Sequence, residues 1–118
     1  MALKIEEESA EGVTVLRLAG RVTLGGESNQ LRSKLRELLD QGATRVVLDL
    51  GEVSYLDSAG LGTLVAGYTS ARSKGASVKL ANLTKKISEQ LNITKLVTVF
   101  EVYNDVQAAV KSFSTPPA

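Results

Sequence analysis

Apolar positions along this chain switch repeatedly between a spacing of two and a spacing near 3.6, which divides it into strands and helices. Residues 3–8 alternate apolar and charged side chains and predict a half-buried strand near a sheet edge. A Glu11-Gly12 turn leads into a second strand over 13–19, with Val13, Val15 and Arg17 on one side and Leu16 and Leu18 on the other. The short connection predicts an antiparallel hairpin. Over 27–41, Leu31, Leu35, Leu38 and Leu39 follow one face of a helix, and Arg32, Lys34, Arg36 and Glu37 take the others as solvated charge. Ser28 or Glu27 serves near its start, and Gly42 stands where a left-handed C-cap is expected. Val46, Val47, Leu48 and Leu50 make a short buried strand. Helix spacing returns at Leu61, Leu64, Val65 and Tyr68, and that helix ends near Lys74-Gly75.

Residues 76–81 predict the next strand, and 84–91 a helix that turns Ile87 and Leu91 inward and leaves Lys85, Lys86 and Glu89 in water, with 92–94 breaking it. The β-branched run over 96–101 predicts a last, short edge strand. Asn104 or Asp105 then caps a closing helix built on Val106, Ala109, Val110 and Phe113. One domain over 1–113 and a frayed tail over 114–118 complete the chain. The order ββαβαβαβα predicts an α/β fold: a mixed, largely parallel sheet of about five strands with about four helices and right-handed crossovers. The functional rim of such a sheet lies beyond the carboxyl ends of its strands, where Arg21 to Leu24, Ser58 and Asn82 all fall.

Composition removes several kinds of chemistry. The 118 residues include no histidine and no cysteine. A Ser-His-Asp triad, a thiolate nucleophile and a disulfide framework are therefore excluded within this chain. The net charge of +1 and the few aromatics, three tyrosines and two phenylalanines, give neither a nucleic-acid footprint nor a stacking platform. No apolar run approaches membrane-spanning length and the N-terminus has no signal core, so a cytoplasmic protein without membrane insertion is expected. Near-neutral charge and exposed edge strands leave room for a weak homodimer.

The stretch Asp57-Ser58-Ala59-Gly60-Leu61-Gly62 joins the buried strand to the second helix. Such a turn puts the polar pair at a helix N-terminus, where unpaired N–H groups and the macrodipole favour negative charge. Ser58 is thus a hydroxyl offered at the rim, where an added phosphate can be held by the first helical turn. The plainer reading makes Asp57 or Ser58 a cap and the glycines room to turn; the two are compatible. Further along that helix, Ala66 and Gly67 fit either close packing against the sheet or a flat surface for a partner. For an enzyme the chain offers little. Gly60-Leu61-Gly62-Thr63-Leu64-Val65 lacks the third glycine of a dinucleotide fingerprint and follows a long loop. A P-loop is absent, and Asp49 and Asp57 have no third group to complete a carboxylate site. No enzymatic activity and no cofactor or metal are expected.

Residues 47–50 and 53–62 together resemble the signature of the STAS domain of bacterial anti-sigma factor antagonists, and a weaker likeness runs from about Leu3 to Phe113. In that family an Asp-Ser-(Ser/Ala)-Gly-Leu-Gly segment carries the serine that a partner-switching kinase phosphorylates, which implies Ser58. The resemblance implies a protein that binds an anti-sigma factor with serine kinase activity when unmodified, releases it when phosphorylated, and is restored by a serine phosphatase, so regulating transcription. It implies a partner-binding surface of Arg21, Thr23, Leu24, Asp57, Ser58, Ala59, Gly60, Leu61 and Asn82. The loop before the first helix often reads Gly-Glu-Leu-Asp in the family, whereas this chain has Gly20-Arg21-Val22-Thr23. Arg21 there is a guanidinium available to hold a phosphate on Ser58. The alternatives are a STAS subunit of a signalling assembly or transporter ATPase complex that uses the rim without phosphorylation, and nucleotide binding by the domain itself.

Overall fold

The chain order predicted from apolar spacing is the order of the computed structural model, which describes residues 3–114. Strands β1 (Lys4–Ala10) and β2 (Val13–Val22) precede α1 (Gly26–Asp40), then β3 (Arg45–Leu56), α2 (Ser58–Ser73), β4 (Ser77–Ala81) and α3 (Lys85–Ile93). A 3-10 turn at Leu96–Thr98, the two-residue β5 (Val102–Tyr103) and α4 (Val106–Ser114) follow. Ser114 is thus helical, and the rest of the predicted tail lies outside the described residues.

The five strands lie side by side in chain order. β1 and β2 pair antiparallel and every later neighbour pairs parallel. A parallel sheet laid down in sequence with crossovers of one hand carries all its crossover helices on one face. The core obeys this rule: Leu16 and Leu18 of β2 and Val46, Leu48 and Leu50 of β3 pack with Leu31, Leu35 and Leu38 of α1, Leu64 and Ala71 of α2, and Ile87 and Leu91 of α3. The alternate residues Val13, Val15 and Val47 point the other way, into a smaller cluster closed by Ala109 and Val110 of α4. Lys79 of β4 also points there and is 7% exposed. Its ammonium is held by Ser112 Oγ at 2.7 Å, Glu101 at 3.4 Å and the Phe113 ring at 4.1 Å, so the buried charge is paired rather than stranded.

Three elements depart from the expectation. The buried strand predicted over 46–50 continues to Leu56, because β2 continues beside it to Val22, with register shifts in the pairing between Arg17 and Ala19 and between Gly20 and Arg21. What reads as two loops in the sequence is therefore a pair of strands, and Arg21 is a strand residue. The run over 96–101 is not a strand. Lys95 turns the chain left-handed at φ 62°, and Leu96 and Phe100, four apart, turn toward the core while Val97 and Val99 are 39% and 37% exposed. That spacing is helical, and pairing with β4 waits for Val102 and Tyr103. On α2, the fully buried residues are Gly60, Thr63, Leu64, Gly67 and Ala71; Leu61, Val65 and Tyr68 flank them, half buried. The small residues face inward because Gly67 lies against Leu35 of α1, where a Cβ would come within 2.7 Å of Leu35 Cδ1.

The corner between β3 and α2 as candidate functional site

β4 ends beside Asp49, so residues 50–56 of β3 run beyond it and carry the start of α2 clear of that neighbour. Asp57 is the N-cap of α2, in extended conformation at φ −95° and ψ −175°. Its Oδ1 accepts from the Gly60 N–H at 2.8 Å and its Oδ2 from the Leu24 N–H at 2.9 Å. One carboxylate thereby satisfies an orphan donor of the helix and ties the β2–α1 loop to it. The N–H groups of Gly60 and then Leu24 hold the Asp57 carboxyl below the usual carboxylate range, against a smaller opposing effect of desolvation.

Ser58 follows at the first helical position. It is exposed, and its hydroxyl makes no hydrogen bond among the described residues. The cap is Asp57, so Ser58 is free for other work. Gly60 is buried beneath it, and a Cβ there would overlap the Val22 carbonyl, so glycine is what lets the first turn of α2 close on the end of β2. Gly62, with open space around it, has no such duty.

The residues expected at the rim divide in two. Leu24, Asp57, Ser58 and Ala59 gather at the corner, with Leu24 79% exposed and Leu61 half buried behind them. Gly60 shapes this surface from below rather than belonging to it. Thr23 is beside it, but its hydroxyl donates to Glu27 and its carbonyl accepts from Ser28 Oγ at 2.8 Å, so it serves the start of α1.

Arg21 and Asn82 are elsewhere. Arg21 pairs in register with Tyr55, and strand alternation turns it away from the face to which Val22 and α2 belong. Its guanidinium makes no hydrogen bond or ion pair among the described residues. Asn82, left-handed at φ 62°, sits where β4 ends; its Nδ2 donates to Asp49 Oδ1 at 3.2 Å, level with the middle of β3. Asp49 also accepts from the Gly51 N–H at 3.0 Å and from Arg17 Nε at 3.4 Å. This is a closed structural network well back from Ser58. The shared rim fails for Asn82 because β3 outruns β4.

What sequence reading missed is where α3, itself expected as a helix, lies: against the end of β3. Its Gln90 Nε2 donates to the Leu56 carbonyl at 2.7 Å, and Lys86 Nζ lies 5.0 Å from the Tyr55 ring centroid. Ile93, one turn beyond Gln90 on the same side, is 81% exposed. The 86, 90, 93 spacing was visible beside the inward Ile87 and Leu91, yet nothing in the sequence shows that α3 takes the place β4 leaves vacant. No group of three His, Cys, Asp or Glu side chains able to hold a metal occurs among the described residues, and no helix there is long and apolar enough to cross a membrane.

Comparison with known proteins bears on the fold and the family. The STAS domain family model matches residues 4–109. The Bordetella bronchiseptica protein BtrV is 30% identical over 113 residues, covering 96% of this chain and 97% of that protein. The anti-sigma-B factor antagonist of Bacillus subtilis is 30% identical over 102 residues, covering 86% and 92%. The structure of the Bacillus cell fate determinant SpoIIAA in its phosphorylated form superposes with a TM-score of 0.72 at 19% identity, covering 93% of this chain and 99% of that one. Fold and sequence agree: the chain belongs to the STAS domain family and is a homologue of the anti-sigma factor antagonists.

Proposed function

We propose that this protein is an anti-sigma factor antagonist switched by phosphorylation of Ser58. Unmodified, it binds an anti-sigma factor that is also its serine kinase; phosphorylated, it lets go, and a serine phosphatase restores it. The observation that carries this reading is an exposed serine hydroxyl, free of the capping role that Asp57 performs, beside the exposed Leu24. An apolar side chain next to a modifiable hydroxyl suits a docking surface that a charge can spoil. The kinase brings ATP, magnesium and the catalytic base, and this chain brings only the acceptor.

Phosphate adds about −1.5 to −2 charges at neutral pH. Asp57 has already taken the Gly60 and Leu24 N–H groups, so the new charge sits beside an existing carboxylate and faces outward. Docking then requires its desolvation, and a penalty of about 3 kcal/mol lowers affinity by roughly two decades. No refolding of the domain is needed.

The test is incubation with a kinase-type anti-sigma factor from the same genome and ATP, followed by intact mass and peptide mapping. A single phosphate on Ser58, absent from Ser58→Ala, is expected. Phosphate persisting on Ser58→Ala would move the site to Thr23 or Ser54. Ser54 is exposed, with only a 3.3 Å bond to the Gly20 carbonyl.

A further inference from the structure

We propose that the groove between α1 and α2 is a binding site for a soluble amphipathic carboxylate, an apolar chain with one anionic head. The groove has a volume of about 440 Å³, which lies within the size of small-molecule sites. Its floor is apolar, formed by Leu35 and Leu39 of α1 and by Ala66 and Gly67 of α2. Gly67 lets Leu35 close against α2 beneath the groove, which stays open above because α2 presents Thr63, Ala66 and Ser70 at a seam where larger side chains would fill the space. From Thr63 to Lys74 it is roughly 16 Å long, at 1.5 Å of rise per residue.

Charge decides the ligand. The lining holds Arg32, Arg36 and Lys74 against the single carboxylate of Asp40, and Lys74 already takes Asp40 at 2.7 Å. Two guanidiniums are left over. Arg32 makes only a long bond, 3.4 Å, to the Thr63 hydroxyl. The Arg36 guanidinium makes no hydrogen bond or ion pair among the described residues and acts on Asp40 only through its field. The two stand one turn apart on α1, a spacing at which like charges repel. Guanidinium pairs with a carboxylate by two parallel N–H bonds, so an anionic head lying between them relieves that repulsion. The apolar chain then lies along the floor. This site makes no use of Ser58.

The probe is sodium decanoate below its micelle point, titrated into the isotopically labelled full chain and followed by amide chemical shifts. Saturable shifts confined to residues 32–40 and 63–74 are expected, with decanol at least tenfold weaker. The Arg32→Gln, Arg36→Gln double variant should weaken decanoate at least tenfold and leave decanol unchanged. Ala66→Leu fills the groove from an exposed position, and it should abolish both, as should Ser70→Leu; a thermal melt verifies that each variant is folded. Equal affinity for decanol, shifts elsewhere, or binding that survives both leucine variants would overturn the proposal. So would a response to anionic lipid vesicles alone, which would make the charge a membrane contact. The same shifts on raising protein concentration without ligand would assign the groove to a second copy of the chain, with the same result.

Discussion

Gly60 and Gly62 stand two residues apart near the start of α2, yet their surroundings give them opposite roles. A Cβ on Gly60 would run into the Val22 backbone carbonyl, which cannot swing aside, whereas a Cβ on Gly62 meets nothing within 4 Å. Gly60→Ala is therefore expected to cost about 1–3 kcal/mol as overpacking. Gly62→Ala should stabilise by about 0.4–1 kcal/mol through the unfolded chain, and urea unfolding of the two variants will show the opposite signs. Asp57 predicts a pH dependence. Its folded pKa is lowered, so the stability it supplies is complete above the ordinary carboxylate value of about 3.9 and is lost as pH falls from there through the folded value. Asp57→Asn keeps a capping oxygen but no titration, so its stability should fall less than the wild type's over that window. At Ser58, alanine should give a protein that binds its partner permanently. Aspartate should bind more weakly than wild type but better than the phosphoprotein, since it carries the smaller charge; competition binding with the purified kinase ranks the three.

Among the elements, the helices and the two central strands were legible because burial on one face imposes a period, and a period survives in the sequence. Leu31, Leu35, Leu38 and Leu39 are all buried, and the two faces of β2 separate as Leu16 and Leu18 against Val13 and Val15. Illegible features were those set by a neighbour. The overhang of β3 depends on β2 running beside it to Val22, and its Gly51, Glu52, Ser54 and Tyr55 look like loop residues because that face is left uncovered. The run over 96–101 has strand composition, but its two inward residues are four apart. In the site, Asp57 and Ser58 could be read from local chemistry, whereas the distance of Asn82 from them could not. Asn82 and Gly51 form one element-level unit, since a Cβ on Gly51 would displace the Asn82 amide from Asp49. Gly51→Ala and Asn82→Ala should each cost about 0.5–1.5 kcal/mol, and the double variant clearly less than their sum, in denaturant titrations of all four proteins.

At the scale of the molecule, the sheet is unequally clothed: among the described residues three helices cover one face and only α4 part of the other. β5 pairs with β4 at Leu80 and Ala81, with the Asn82 N–H also donating to the Tyr103 carbonyl, so the last elements are held by a short ladder, the contacts of Lys79 and the small cluster around Val110. Native-state hydrogen exchange should therefore show α4 and β5 opening well below the free energy that releases β2 and β3. The long central strand has another consequence. Beyond Asp49 it is a ruler: each residue advances the chain by up to about 3.3 Å, and the register shifts against β2 keep Leu50, Val53 and Leu56, three apart, all in the core. Removing one or two residues between 50 and 56 would break that spacing, and removing three would keep it but draw the corner back by as much as about 10 Å. The reach of this protein toward whatever it meets is thus written in the length of one strand, separately from the residues that make the contact.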